Sequence, residues 1–133
     1  MEWAEFCGDY YGTPKKYVEE SIKEGKNIIL EIEVQGALQI KKILPRSVLI
    51  FVMPPTVEEL RHRLIKRGTE TEDLIEKRIK RSNEEIALIS NYDYVVVNYE
   101  IEDAVRDILA ITRAEQLKTD KNTEAIKKFK GEI

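Results

Sequence analysis

The sequence NIILEIEVQG, residues 27–36, decides the predicted fold class of this chain. Its first residues are mostly aliphatic and lie between two glycines, which is typical of a strand buried on both faces. We therefore expect a buried strand over residues 28–32. Glu31 and Glu33 are two residues apart, so a strand would place both carboxylates on one side. Carboxylates at the carboxyl end of a strand lie where open α/β sheets bind ligands.

Two further apolar runs predict buried strands, SVLIFVM at residues 47–53 and YVVV at residues 94–97. The remaining elements predicted from apolar spacing and capping residues are a strand or hairpin with two glycine breaks in residues 2–13, and helices from Pro14 to Gly25, from Gly36 to Pro45, from Thr56 to about Lys66, from residues 69–73 to about Ile89, and from Ile101 to about Thr112. Strands that alternate with helices favour a parallel sheet with right-handed crossovers. The predicted class is α/β, followed by a charged, frayed tail.

Length and composition fit one compact domain or part of one, with 42% hydrophobic and 35% charged residues. No apolar run reaches eighteen residues, and the first residues are too acidic and aromatic for a signal peptide. We therefore expect a cytoplasmic protein that does not enter a membrane. A single cysteine, Cys7, and a single histidine, His62, exclude an internal disulfide and a Cys/His zinc cluster.

Charge is distributed unevenly along the chain. Residues 61–81 contain eight Lys or Arg and four Asp or Glu, a local charge of +4 in a chain whose net charge is −3. General nucleic-acid binding usually needs a basic domain, so we expect no nucleic-acid partner. A cationic segment on an acidic body is better suited to a small polyanionic ligand.

Four segments, in order, resemble the guanylate kinase family: EWAEFCGDYYGTP (2–14), ILEIEVQGA (29–37), FVMPPTVEELRHRLIKRGTETEDLIEKRI (51–79) and YDYVVVN (92–98). The resemblance extends from Glu2 to about Ala114. It implies a P-loop-kinase-type parallel sheet with flanking helices and a helical lid. It also implies phosphoryl transfer from ATP to GMP with Mg²⁺, giving ADP and GDP in purine nucleotide metabolism.

The resemblance assigns roles in GMP binding to residues of the first two segments. Glu2 matches the residue that reads the guanine edge, whose N1–H and amine require a carboxylate acceptor, and Glu33 lies near the same base or the magnesium shell. Glu31 belongs to the same acidic strand. The hydroxyl groups of Tyr11 and Thr13 match those that hold the GMP phosphate.

Phosphoryl transfer needs positive charge directed at the oxygens of the moving group. In the resemblance, Arg67 and Arg78 are the catalytic and ATP-binding arginines of the lid. Their planar guanidinium groups donate paired hydrogen bonds and stay charged. Asn98 matches a position near the adenine ring.

The chain contains no G-x-x-x-x-G-K-[ST] sequence, so the resemblance predicts a truncated portion that is inactive or nearly so by itself. The central phosphate-loop strand would be absent from the sheet, and its exposed edges would favour self-association. The predicted divisions are a partial guanylate kinase domain at 1–118, comprising part of the GMP-binding region at 1–13, a core at 14–66 and 91–118 and a lid at 67–90, followed by a tail at 119–133.

Other interpretations of these residues remain open from the pattern alone. The two strand-end glutamates are also compatible with ordinary solvated charges, and the lid arginines with helix-surface charges paired to Glu70 or Glu76. Tyr10 and Tyr11 also suit a hairpin or core, while His62 suits a surface position and Cys7 a structural one. Two alternative functions are a guanylate-kinase-like binding module without catalysis and another nucleoside monophosphate kinase.

Overall fold

A computed structural model describes the backbone of residues 2–6, 9–13, 15–68 and 70–132, and the side chains of residues 16–68 and 70–132. The strands are β1 (Glu2–Phe6), β2 (Asp9–Thr13), β3 (Ile50–Met53) and β4 (Tyr94–Val97). The helices are α1 (Lys15–Lys23), α2 (Val34–Ile43), α3 (Val57–Arg67), α4 (Glu72–Ile86), α5 (Ile101–Gln116) and α6 (Thr123–Lys130), with short 3-10 turns at Ile89–Asn91 and Thr119–Lys121.

The sheet at the centre of the fold is a parallel pair, β3 and β4, with Ile50 opposite Tyr94 and Met53 opposite Val97. Three valines follow Tyr94 in β4, and Val96 is the most buried of them, with 2% of its surface exposed. A separate antiparallel hairpin is formed by β1 and β2. The predicted α/β class, the hairpin and the last strand are confirmed, and the strand predicted at 47–53 is shortened to β3.

The buried strand predicted over residues 28–32 is wrong. Residues 26–33 form a segment without helix, turn or bend that belongs to no ladder, and its last residue, Glu33, has an extended backbone. Ile29 in this segment is 83% exposed. A strand is stabilised by its hydrogen-bonded neighbour, and in the described part of the chain β3 and β4 pair with each other instead. The apolar pattern predicted the strand, but pairing in a sheet needs a partner strand, which a local pattern does not reveal.

Helix α3 begins and ends as its capping residues predict. The Thr56 side chain accepts a hydrogen bond from the backbone N–H of Glu59 at 3.0 Å, and Gly68 ends the helix with a φ of 67°. α4 begins after Thr71, whose hydroxyl accepts from Leu74, and ends before the predicted Ile89. The helices α3 and α4 pack on each other through a small apolar cluster of Leu60, Leu64, Ile75 and Ile79.

Two helix predictions need correction. α2 begins at Val34 rather than beyond Gly36, since Glu33 already occupies its N-cap position in an extended conformation. The tail predicted to be frayed contains α6, which follows Asn122 and ends at Gly131 with a φ of 76°. The backbone N–H of Gly131 caps the carboxyl end of this helix, although Phe129 is 93% exposed. Pro14, the predicted first helical residue, lies outside the described residues.

At the amino end of the parallel strands, polar contacts that are exposed or part-buried join the sheet to α2 and α5. The Asp93 carboxylate accepts from the Leu49 backbone N–H at 2.8 Å and lies 3.3 Å from the Lys41 ammonium. Tyr94 donates its hydroxyl hydrogen bond to Glu115, which also pairs with Lys118 at 3.2 Å. Among the helices of the described chain, none is long and apolar enough to cross a membrane.

We expect acid to destabilise the protein partly through Glu115. The hydrogen bond from Tyr94, followed by the bond and charge of Lys118, holds the pKa of Glu115 below its ordinary value of 4.5 against the opposing effect of burial. A depressed folded-state pKa gives stability that is present above the ordinary value and is lost as pH falls through the folded value. Glu115→Gln should therefore flatten the fall in unfolding free energy that occurs as pH drops below the ordinary value of 4.5 and through the depressed folded-state pKa.

Urea unfolding across this pH range measures the effect, with Glu124→Gln on the exposed face of α6 as the matched control. An identical pH dependence for Glu115→Gln and the unmodified chain would contradict the assignment.

Candidate functional site

Glu33 lies at the junction between the extended segment and α2. Its backbone carbonyl accepts from the Ala37 N–H at 2.9 Å, which starts the helix. Its side chain makes no capping hydrogen bond and instead bonds Arg81 on α4. A carboxylate is favourable near a helix N-terminus, where the peptide dipoles leave partial positive charge. The contact between Glu33 and Arg81 joins α4 to the carboxyl end of the extended segment.

Arg81 bridges two carboxylates, one from another part of the chain and one from its own helix. Nη2 donates to Glu33 Oε2, and Nε donates to Glu85 Oε1 at 3.0 Å. Burial acts to lower the pKa of Arg81, but the hydrogen bonds and charges of Glu85 and Glu33 outweigh it and the pKa is raised. The guanidinium thus stays charged and is held at two points of its planar fork.

The two oxygens of Glu33 have different surroundings. Oε2 accepts from Arg81, whereas Oε1 is buried and has no hydrogen-bond partner among the described residues. The side chain as a whole is 14% exposed. Glu31, the other predicted carboxylate, is exposed to solvent. The structure therefore distinguishes these glutamates, and Glu33 is the one held in a fixed position with a spare acceptor.

The predicted lid arginines lie on α3 and α4. Arg78 bonds Glu70 at 2.8 Å, with the arginine side chain 50% exposed and the glutamate 12% exposed. Arg67 is exposed in the last turn of α3. Since Arg78 precedes Arg81 by three residues, it lies less than one helical turn from the arginine that holds Glu33. The pairing with Glu70 that the sequence left open for Arg78 is present.

Asn98 follows the last residue of β4, at the carboxyl edge of the sheet. Its N–H donates to the Met53 carbonyl at 2.7 Å, continuing the ladder by one bond. Its carbonyl accepts from Arg63 Nη2 at 2.9 Å, and the same nitrogen donates to the Tyr99 carbonyl at 3.1 Å. Arg63 of α3 therefore fixes the backbone that leaves β4.

Three predicted GMP-binding residues lie in the β1–β2 hairpin. Glu2 stands opposite Thr13 in the antiparallel register, and Tyr11 stands opposite Ala4. The backbone of β1 packs against α2, the helix that Glu33 begins. The side chains of the hairpin lie outside the described residues, so the predicted roles of Glu2, Tyr11 and Thr13 remain predictions, as do the structural interpretations of Tyr10 and Cys7.

Sequence reasoning missed Arg81, Glu85 and Tyr92 as neighbours of Glu33. The Arg81–Glu85 pair has the spacing of four residues that predicts a helical ion pair, but the contact with Glu33 joins residues far apart in sequence. Tyr92 packs edge-on against Phe51, with ring centroids 5.0 Å apart. Its pKa is raised by burial and then by the charges of Glu85 and Glu33.

Comparison with known proteins identifies the family. The family model described as "Guanylate kinase" matches residues 1–115, most of the chain. The chain belongs to the guanylate kinase family. The resemblance predicted from four sequence segments is confirmed, and so is the α/β fold class.

Curated relatives and a solved structure agree with this family assignment. The guanylate kinase of Halalkalibacterium halodurans is 54% identical over 124 residues, covering 93% of this chain and 61% of its own length. That of Bacillus subtilis is 48% identical over 129 residues, covering 97% of this chain and 63% of its own length. The crystal structure of guanylate kinase from Anaplasma phagocytophilum superposes with a TM-score of 0.80 at 34% identity, covering 100% of this chain and 65% of that one. The chain therefore spans about three fifths of the guanylate kinases that it matches.

Tyr92 is a reporter of charge at this site. Glu85→Gln removes one negative neighbour, so the tyrosinate becomes easier to form and the pKa of Tyr92 should fall, while burial keeps it above its ordinary value of 10.0. Titration of the tyrosine Cζ signals by ¹³C NMR measures the shift, and Glu124→Gln serves as the control. An unchanged Tyr92 titration in Glu85→Gln would show that this charge does not reach the ring.

Proposed function

We propose that this chain forms the GMP-reading and phosphate-clamping part of a guanylate kinase. The reaction of the whole protein is attack by a GMP phosphate oxygen on the γ-phosphorus of ATP, with ADP as leaving group and GDP as product. Guanylate kinase relatives at about half identity support this assignment.

The contact between Glu33 and α4 carries the proposal. It brings the acidic group proposed to recognise the purine next to the helix that carries Arg78. Had these groups lain on different sides of the molecule, no single cleft would have held both the base of one nucleotide and the phosphates of the other. The Glu33 oxygen without a partner supplies the acceptor that the guanine N–H groups require.

Residues of the hairpin complete the proposed GMP site. Glu2 reads the guanine edge together with Glu33, and Glu31 lies near them on the same segment. Tyr11 and Thr13 hold the GMP phosphate through their hydroxyl groups. The packing of β1 against α2 supports this placement, since it brings the hairpin backbone to the helix that follows Glu33.

The proposed lid, residues 67–90, supplies the cationic groups. Arg67 is exposed and ready for a phosphate, whereas Arg78 exchanges its bond to Glu70 for the transferring group. Guanidinium groups placed there neutralise the charge that spreads over the equatorial oxygens as the phosphoryl group moves. Asn98, held by Arg63 at the carboxyl edge of β4, is proposed to lie near the adenine ring.

Family chemistry also implies Mg²⁺. In the described part of the chain no group of three or more His, Cys, Asp or Glu side chains could hold a metal ion. These residues do not fit a resident metal centre, so we propose that Mg²⁺ arrives with the phosphates of ATP.

Calorimetric titration of the full chain with GMP and with AMP tests the guanine assignment. We expect GMP to bind at least about tenfold more tightly, because a site built around carboxylate acceptors rejects a base that lacks the matching donors. Glu2→Gln should reduce this ratio, and Glu124→Gln should leave it unchanged. Equal binding of the two nucleotides, or no binding of either, would overturn the proposal for this chain.

We also propose that the chain self-associates through its sheet edges. β3 and β4 each have one neighbour in the described chain, and the extended segment beside α2 exposes Ile29. Unpaired backbone edges next to apolar residues favour pairing with a second chain.

Sedimentation velocity at about 10 µM should show dimers or larger species. Ile29→Lys should shift them toward monomer, because a charged side chain in an extended segment opposes edge pairing. Ile101→Lys, at an exposed apolar position of α5, is the matched control and should not do so. A monodisperse monomer for the unmodified chain would contradict edge pairing.

A further inference from the structure

Glu33 presents two unequal oxygens, and Arg81 is the side chain that makes them unequal. Glu33 Oε2 is occupied by a charge-assisted hydrogen bond from Arg81, while Oε1 is buried without a partner among the described residues. A free carboxylate would rotate and exchange these positions. Bonded to Arg81, it holds one oxygen in the ion pair and leaves the other as an acceptor.

Arg81 is itself fixed in place. Its Nε donates to Glu85 one turn along α4, and both of these side chains are part-buried. The helix beneath is anchored by Ile75 and Ile79, which pack into the apolar cluster shared with α3. A guanidinium bonded through Nε and a terminal nitrogen has little freedom to turn about its last side-chain bonds.

We propose that Arg81 is a positioning residue that sets purine selectivity by fixing the orientation in which the Glu33 carboxylate faces the bound base. This inference rests on the proposed function, since it concerns the same GMP site. The guanine edge offers an N1–H and an amine, and both are matched by a fixed carboxylate oxygen. Adenine places an unprotonated N1 there, so its lone pair meets a carboxylate that cannot turn away.

A structural tie between α4 and the extended segment is the alternative role for Arg81. Loss of such a tie would destabilise the chain and would lower the binding affinity of every nucleotide by a similar factor. A positioning role makes a different demand: the ratio of GMP to AMP affinity must change, because only the orientation of Glu33 distinguishes the bases. The ratio of affinities, measured beside stability, therefore separates the two roles.

Calorimetric titration of GMP, inosine monophosphate and AMP into Arg81→Gln tests the inference. Inosine monophosphate keeps the N1–H and lacks the amine. Comparing its loss of affinity with that of GMP therefore shows how much of the change involves each donor. We expect the GMP preference over AMP to fall roughly tenfold, because the released carboxylate of Glu33 no longer presents a fixed acceptor. Arg81→Lys keeps the charge without the planar fork and should restore part of the preference.

Two further variants complete the design. Glu85→Gln leaves Glu33 and Arg81 in place but removes the negative charge that strengthens the hydrogen bond from Arg81 Nε, so it should lower the preference by less than Arg81→Gln. It also keeps the inference falsifiable if Arg81→Gln does not fold, which circular dichroism and urea unfolding will show. Arg106→Gln on α5 removes an exposed arginine paired with Asp103 and is the matched control, with no expected change in the ratio.

The outcomes separate the inference from the proposed function. If the unmodified chain shows no preference for GMP, the proposed function fails, and the inference falls with it. If it prefers GMP but the folded Arg81 and Glu85 variants retain the full ratio, or lose GMP and AMP affinity equally, the inference alone is overturned. A selective loss that lysine partly restores supports a positioning role.

Discussion

Parallel pairing of β3 with β4 is the constraint on which the placement of the site depends. Because both strands run in the same direction, the chain leaves them at one edge, and α3 and α5 begin there. Asn98 extends the ladder by one hydrogen bond beyond β4, and Arg63 of α3 donates to the carbonyls of Asn98 and Tyr99. The carboxyl edge is thus secured by backbone and side-chain contacts together, which is where ligands bind in open α/β sheets.

The opposite edge of the sheet is secured differently. Asp93, Lys41 and the Leu49 backbone join the strands to α2, and Tyr94 with Glu115 joins them to α5. These contacts line a cleft of about 430 Å³. Each of its lining lysines and arginines is within 4.0 Å of an acidic partner. At this edge the charged side chains pair with one another, and these pairs join the helices to the sheet. Glu33, in contrast, has an acceptor oxygen without a partner among the described residues.

Local signals predicted much of the fold. Thr56 and Gly68 mark the ends of α3 because capping depends on neighbours three or four residues away. The strand predicted over residues 28–32 failed because sheet pairing is decided by distant segments, and no local pattern shows that a partner is in place. For the same reason Glu33 was recognised by type and position, while its partner Arg81, on a helix 48 residues farther along, was not.

Because residues 28–32 do not form a strand, no sheet pairing explains the fixed position of the Glu33 side chain. The carbonyl of Glu33 is held by the Ala37 N–H, but its carboxylate makes no capping bond, so the side chain is restrained by Arg81, which is itself bonded to Glu85. Ion pairs that are partly exposed add little net stability, since desolvation and lost side-chain freedom offset the attraction. Stability therefore gives a weak reason for enclosing Glu33 and leaving one of its oxygens without a partner. The proposed role of Glu33 as an acceptor for the donors of a ligand accounts for both features, since a bound ligand would supply the missing hydrogen bond.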